Sequence, residues 1–217
     1  MHQVSYFKDK HSVHTPELID KNNIKDFIIN SGLDDICLVG WSLGGMVSLK
    51  LATELKSKIR HLVLIDTTPR FVQSEDFQCA ISKDVVEKIY NRIKIDLSGT
   101  LGWFYKFCFS PNERSHSGFS EILKIAGDFM APVEEDTLLN GLKFLMETDL
   151  RHDLSGIDVP VLIIHGDQDR VCPSGAAHFM AKNIKNAKLA IIENTGHAPF
   201  ITQPENVNAL IENFILG

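Results

Sequence analysis

Between Ile36 and Leu55 the chain reads ICLVGWSLGGMVSLKLATEL: a short apolar run, a turn with three glycines around one serine, then a longer apolar-periodic stretch. A strand that passes straight into a helix through Gly-x-Ser-x-Gly needs glycines where backbones crowd, and it leaves the serine at a strained apex. Such a turn belongs to a parallel sheet flanked by helices.

Three further runs rich in β-branched residues read as buried parallel strands: HLVLID (His61 to Asp66), VPVLIIHG (Val159 to Gly166) and KLAIIE (Lys188 to Glu193). Helical patterns lie around them. Thr15 and Pro16 suit a helix start, Ile24, Phe27 and Ile28 form its buried stripe, and Gly32 stops it. A second helix is expected from Leu43 to about Leu55, with Met46, Leu49 and Ala52 facing inward. Pro173 to about Asn183 and Pro204 to about Leu216 complete the set, and Val4 to Phe7 is at best a short strand. The fold class is α/β: a parallel sheet with helices on both faces.

From Arg70 to Leu150 the alternation stops, because Asp84 to Ile93, Ser120 to Phe129 and Thr137 to Met146 are helix-like and no strand intervenes. Residues 1–69 and 151–217 therefore read as the core, and 70–150 as a helical insertion. Its aromatic cluster LGWFYKFCF, Leu101 to Phe109, is too dense to be solvated. It either packs the insertion onto the sheet or lines a pocket beneath it.

With 217 residues, 44% of them hydrophobic, the chain suits one domain. A net charge of -6 without a basic face disfavours a nucleic-acid binder. Cys37, Cys79, Cys108 and Cys172 are scattered without metal-ligand or disulfide spacing, so neither zinc nor a disulfide framework is expected, and a reducing cytoplasm suits them. The N-terminal MHQVSYFKDKHSVH is too polar for a secretory signal, and no run approaches the ~20 apolar residues of a membrane span.

Ser42 is a poor nucleophile until a base takes its proton and an acid orients that base. Asp169, in HGDQDRVCP after the third strand, and His197, in NTGHAPF after the fourth, supply both at C-terminal strand ends. The order Ser, Asp, His is that of α/β-hydrolases. The amide of Leu43, at the start of the helix, lies where an oxyanion would form. Asp167 reads as a turn former, His165 as a structural histidine and Asp66, closing the second strand, as a reserve acid. His11, His14, His116, His152 and His178 read as surface residues.

GWSLGG, TLLNGLKFLMETDLRHDL, IDVPVLIIHGDQDRVCP and NTGHAPFITQPENV together resemble the pimeloyl-[acyl-carrier protein] methyl ester esterase family of biotin synthesis, over nearly the whole chain from about Gly32. The resemblance implies an α/β-hydrolase whose insertion 70–150 is a cap, and a carboxylesterase without cofactor that frees a pimeloyl carboxylate from its methyl ester. Ser42 would attack, His197 would shuttle the proton and Asp169 would orient it. Phe104, Tyr105, Lys106, Phe107 and Cys108 match the family's substrate-contacting cap segment.

Two departures stand out. Family members carry strands and a His-Gly loop before the nucleophile strand, the loop giving a second oxyanion amide, and this chain has neither. The sheet is thus expected to be N-terminally shortened, with Ile36 to Gly40 at an open edge that invites self-association. Where the family's cap uses arginines to dock an acidic carrier, LSGTLGWFYK has Gly99 and Trp103, leaving Lys106, Arg114 and Lys124 as substitutes. Two other readings remain open: a non-catalytic remnant acting as a binding module, and a hydrolase of another small ester, a lactone or a C-C bond.

Overall fold

The four apolar runs form one parallel sheet in the order β1-β2-β3-β4, with β1 at Ile36–Trp41, β2 at Ile59–Ile65, β3 at Val161–Gly166 and β4 at Ala187–Ile192. The computed structural model describes residues 2–18, 21–130 and 134–217. One row of the register runs Trp41, Ile65, Ile164, Ala190, so the chain leaves β1 and β2 at the same level. All six residues of β3 are buried. Because successive side chains point to opposite faces, both faces of the sheet are covered there.

The helices are α1 (His2–Phe7), α2 (Lys21–Asn30), α3 (Leu43–Glu54), α4 (Lys83–Ile95), α5 (Leu97–Phe107), α6 (Pro111–Ser115), α7 (Phe119–Met130), α8 (Glu135–Glu147), α9 (Gly175–Asn183), α10 (Pro199–Thr202) and α11 (Pro204–Leu216). Helix α3 packs on β1 and β2, α9 on β3 and β4, and α11 on β3. Met46, Leu49 and Ala52 are buried as their spacing predicts, and Val47 and Leu51 join them.

The N-terminal segment departs from expectation. Residues 4–7 belong to α1 rather than to a strand, and no neighbouring strand offers them a ladder. The helix satisfies its own backbone and docks on α10 and α11, where Gln3 Nε2 donates to the Phe200 carbonyl and Tyr6 to Glu212. Thr15 and Pro16 start no helix; residues 12–18 have no regular structure, and Leu18 packs against the core beside Gly44. Gly32 has a φ of +69°, as its role as a stop requires.

Among the described residues, five α-helices, α4 to α8, separate β2 from β3. In sequence they leave the sheet near Arg70 and return near Asp149, and these two residues form an antiparallel bridge. Leu150 N donates to the Pro69 carbonyl at 2.8 Å. Asp149 accepts hydrogen bonds from Arg70 Nη1 and, at 2.8 to 3.2 Å, from Arg151 Nε and Nη2. The bonds from Arg151 foremost, and those from Arg70, hold the Asp149 carboxyl well below the usual range despite its partial burial. The two chain segments that bracket α4 to α8 are thus tied by one carboxylate.

Removing that carboxylate takes the acidic partner from Arg70 and leaves Arg151 with Asp76. Asp149→Ala is expected to cost about 2 kcal/mol, or about 4–8 °C in Tm. A depressed carboxyl stabilises above its unfolded value, so the gap between wild type and variant should persist from about pH 5 upward and close in strong acid. Thermal denaturation across pH checks this; a gap that widens in acid contradicts it.

Candidate active site

The turn after β1 is crowded enough to dictate its residues. A Cβ on Gly40 would stand 2.5 Å from the Gly44 carbonyl oxygen, and one on Gly45 would stand 2.5 Å from Thr67 Cβ. Ser42 itself has φ 52° and ψ -120°, a conformation that L-residues rarely adopt. It is held from several sides: Ser42 N donates to Ile65 O at 3.0 Å, while Ser42 O accepts from Thr67 Oγ1 at 2.6 Å and from the amides of Gly45 and Met46. Of the three other described non-glycine residues at positive φ, Asp66 and Asn194 lie just after β2 and β4, and Asp35 lies before β1. Backbone strain therefore concentrates around this end of the sheet.

Three side chains meet there. His197 Nε2 lies 2.9 Å from Ser42 Oγ, and His197 Nδ1 lies 2.7 Å from Asp169 Oδ2. The other oxygen of Asp169 accepts from Val171 N at 2.7 Å and Cys172 N at 2.9 Å. Burial by itself would raise the Asp169 carboxyl. The charge and hydrogen bond of His197, then His165 and the Cys172 amide, outweigh burial and hold Asp169 below the usual range. An ionised Asp169 on Nδ1 leaves Nε2 free to accept a proton from serine.

The other sequence candidates fall into place around this chain. Asp167 is exposed and accepts from Thr195 N at 3.3 Å, which ties its loop to the histidine loop. His165 is fully buried, and burial pushes its imidazole down; its Nε2 donates to the Cys172 carbonyl at 2.7 Å. Asp66 is fully buried and accepts from Gly166 N at 2.9 Å; its carboxyl makes no contact with His197. His11, His14, His116, His152 and His178 are exposed. Asp66 with His165 and Asp169, and Asp169 with Cys172 and His197, bring their polar atoms within 4.8 Å of one another. Within these groups the side chains of Asp169 and His197 are hydrogen-bonded, and Asp66, His165 and Asp169 each bond to a backbone amide or carbonyl.

Leu43 opens α3 directly after Ser42, and the first amides of a helix lack a carbonyl one turn behind them. Gly141 of α8 faces it: a Cβ there would stand 3.1 Å from Leu43 Cδ2. Phe104 to Phe107 form the last turn of α5, and Cys108 follows. Phe104 and Phe107 pack against the core, Tyr105 is half-buried, Lys106 is exposed and Cys108 is buried. Cys108 reaches the site through its backbone, because its carbonyl accepts from His197 N at 2.6 Å.

That last bond is part of a tether that the sequence reading missed. Glu113 Oε2 accepts from Ser110 N at 2.6 Å and from Gly196 N at 2.9 Å, and its Oε1 accepts from Thr202 Oγ1 at 2.7 Å. Ser110 Oγ donates to the Asn194 carbonyl at 2.8 Å. Arg170, next to Asp169, donates to the carbonyls of Phe107 and Phe109 and lies over the Phe107 ring. Trp41 Nε1 donates to the His197 carbonyl at 2.7 Å. The visible signal was SPNE, Ser110 to Glu113, a capping box with proline at the first helical position. It announces a helix start, and only the fold shows that the glutamate also holds the histidine loop.

A model described as the alpha/beta hydrolase family matches residues 11–210. A pimeloyl-[acyl-carrier protein] methyl ester esterase from Nitrosomonas europaea is 34% identical over 168 residues, which cover 76% of this chain and 66% of that protein. One of the same name from Aromatoleum aromaticum is 33% identical over 189 residues, covering 85% and 75%. The chain thus spans about two thirds to three quarters of these relatives' length. Among solved structures, an esterase from Exiguobacterium antarcticum superposes with a TM-score of 0.88 at 22% identity, covering all of this chain and 86% of that one. An enol-lactonase from Burkholderia xenovorans gives 0.83 at 16%, covering 100% and 85%. The two structural likenesses concern the fold alone.

Loss of the Glu113 carboxylate should loosen the loop that carries His197. Glu113→Ala is expected to slow acylation of Ser42 by about ten- to hundredfold with little change in KM. Steady-state kinetics with an activated ester decide; an unchanged kcat would show that the tether does not position the histidine.

Proposed function

The chain belongs to the alpha/beta hydrolase family and, within it, to the pimeloyl-[acyl-carrier protein] methyl ester esterase family, and from that premise we propose a serine carboxylesterase that cleaves a methyl ester of a pimeloyl-type acyl chain borne on acyl-carrier protein. The observation that carries this reading is the unbroken hydrogen-bond chain from Ser42 through His197 to Asp169. Ser42 Oγ attacks the ester carbonyl while His197 Nε2 takes its proton. The tetrahedral oxyanion forms beside the amide of Leu43. His197 then protonates departing methanol, and water, activated by the same imidazole, releases the free carboxylate.

Residues 70–150 act in this reading as a cap. Phe104, Tyr105 and Phe107, with Lys106 and Cys108, form the wall along which the apolar acyl chain lies, since α5 ends against the histidine loop. Exposed Lys106, with Arg114 and Lys124, offers the positive charge that an acidic carrier needs.

Hydrolysis of a series of p-nitrophenyl esters tests the reading. Short acyl chains should be cleaved faster than those of twelve carbons or more, and Ser42→Ala should lower the rate by about a thousandfold or more. Equal rates for variant and wild type would end the assignment of Ser42, and a preference for long chains would count against the substrate class.

A second part of the reading concerns β1, which stands at one end of the strand order with Val39 48% exposed. An apolar edge without lysine or proline is a template for pairing, and self-association of the chain through it is proposed. Sedimentation should show a concentration-dependent dimer that Val39→Lys weakens at least tenfold; an unshifted monomer at all concentrations would refute it.

A further inference from the structure

Resting on the triad assignment above, we infer that Asp66 is a positioning residue that stays protonated at neutral pH and donates its hydrogen toward Asp169, fixing the carboxylate that orients His197. Both carboxyls are buried, Asp66 completely, and an oxygen of one lies within 4.8 Å of an oxygen of the other. Asp66 Oδ1 has the Gly166 amide, but its fully buried Oδ2 has no partner among the described residues. A buried carboxyl oxygen that no donor reaches, close to a second carboxyl, is left without a bond unless it carries a hydrogen itself.

The donors decide which carboxyl carries it. Asp169 accepts from Val171 N, Cys172 N and His197 Nδ1, with His165 Nε2 at 3.4 Å, whereas Asp66 has one amide. Asp169 therefore keeps the negative charge, and Asp66 is the neutral acid. A proton on its free oxygen turns an orphaned acceptor into a donor and gives Asp169 a further fixed contact.

Among the described residues, the groups that act most strongly on Asp66 include no cation. His165 Nε2 is 3.9 Å from Asp66 Oδ1 and is kept neutral by burial. The thiols of Cys172 and Cys108 are pushed up by burial and stay protonated. The remaining neighbours that act on it, Asp169 and Glu113, are acids. Burial first, then the charge of Asp169, raise the Asp66 carboxyl well above the usual range, with the Gly166 amide opposing. Its backbone φ of 43° is one that asparagine also accepts, so Asp66→Asn is a neutral isostere at no cost in backbone strain.

The sign of the pH dependence tests the proton. An acid whose folded value is raised stabilises fully only below its unfolded value of about 3.9, and that contribution is lost as pH rises towards the folded value. Wild type should therefore lose stability relative to Asp66→Asn from about pH 4 to pH 7. The Tm of the variant minus that of wild type should climb by about 3 °C per pH unit. A difference that is flat or falls with pH overturns the inference. If Asp66→Asn does not fold, carboxyl NMR of aspartate-labelled wild type reads the same group: one aspartate still protonated at pH 7 is expected, and none overturns the inference.

The positioning role is read by rates of fluorophosphonate labelling at Ser42. Asp66→Ala should label about tenfold more slowly than wild type, and Asp66→Asn, which keeps a donor for Asp169, should recover most of that loss. Equal rates in Asp66→Ala and wild type overturn the role. Failure of wild type itself to label, with the Tm difference still climbing, would instead remove the hydrolase reading and leave the proton in place.

Discussion

The hydrogen bond between His197 Nδ1 and Asp169 Oδ2, 2.7 Å long and out of contact with water, is the contact that gives the rest of the structure its purpose. Its two residues sit on loops after neighbouring strands, β4 and β3, and the imidazole it orients must reach a serine three strands away, after β1. Parallel pairing brings these places together, because it puts the C-terminal ends of all the strands on one side. The continuous apolar stretches of β2 and β3 are therefore also what places the chemistry, since a one-residue slip in register would turn the loops away.

Around that bond lies a second layer of fixed groups. Amides hold one oxygen of Asp169, the Cys108 carbonyl and Trp41 indole hold the backbone of His197, and Glu113 holds the amide just before it. Much of this layer comes from the turn between α5 and α6, within the helical segment. The segment from Cys108 to Glu113 and the histidine loop are thus joined by several hydrogen bonds.

The sequence disclosed a large part of this and withheld the rest for identifiable reasons. Strands were legible because β-branched runs buried on both faces carry a strong signal, and all four lie within two residues of their expected bounds. Ser42, Asp169 and His197 were nameable because a strained turn and two strand-end loops leave few alternatives. The N-terminal helix was missed because residues 4–7 are rich in β-branched and aromatic side chains, and only α10 and α11 reveal what they pack on. Glu113 and the unpartnered oxygen of Asp66 could not be read at all. Their meaning depends on contacts between residues about eighty to a hundred positions apart, for which local pattern has no signature.

The most direct test of the central claim is intact-mass analysis of the purified 217-residue chain after treatment with a fluorophosphonate, with the adduct located by peptide mapping. If turn, base and acid are assembled as described, one adduct per folded chain is expected, on Ser42. A folded chain that remains unlabelled, or one labelled at another residue, would contradict the assignment of Ser42, His197 and Asp169 as a working triad.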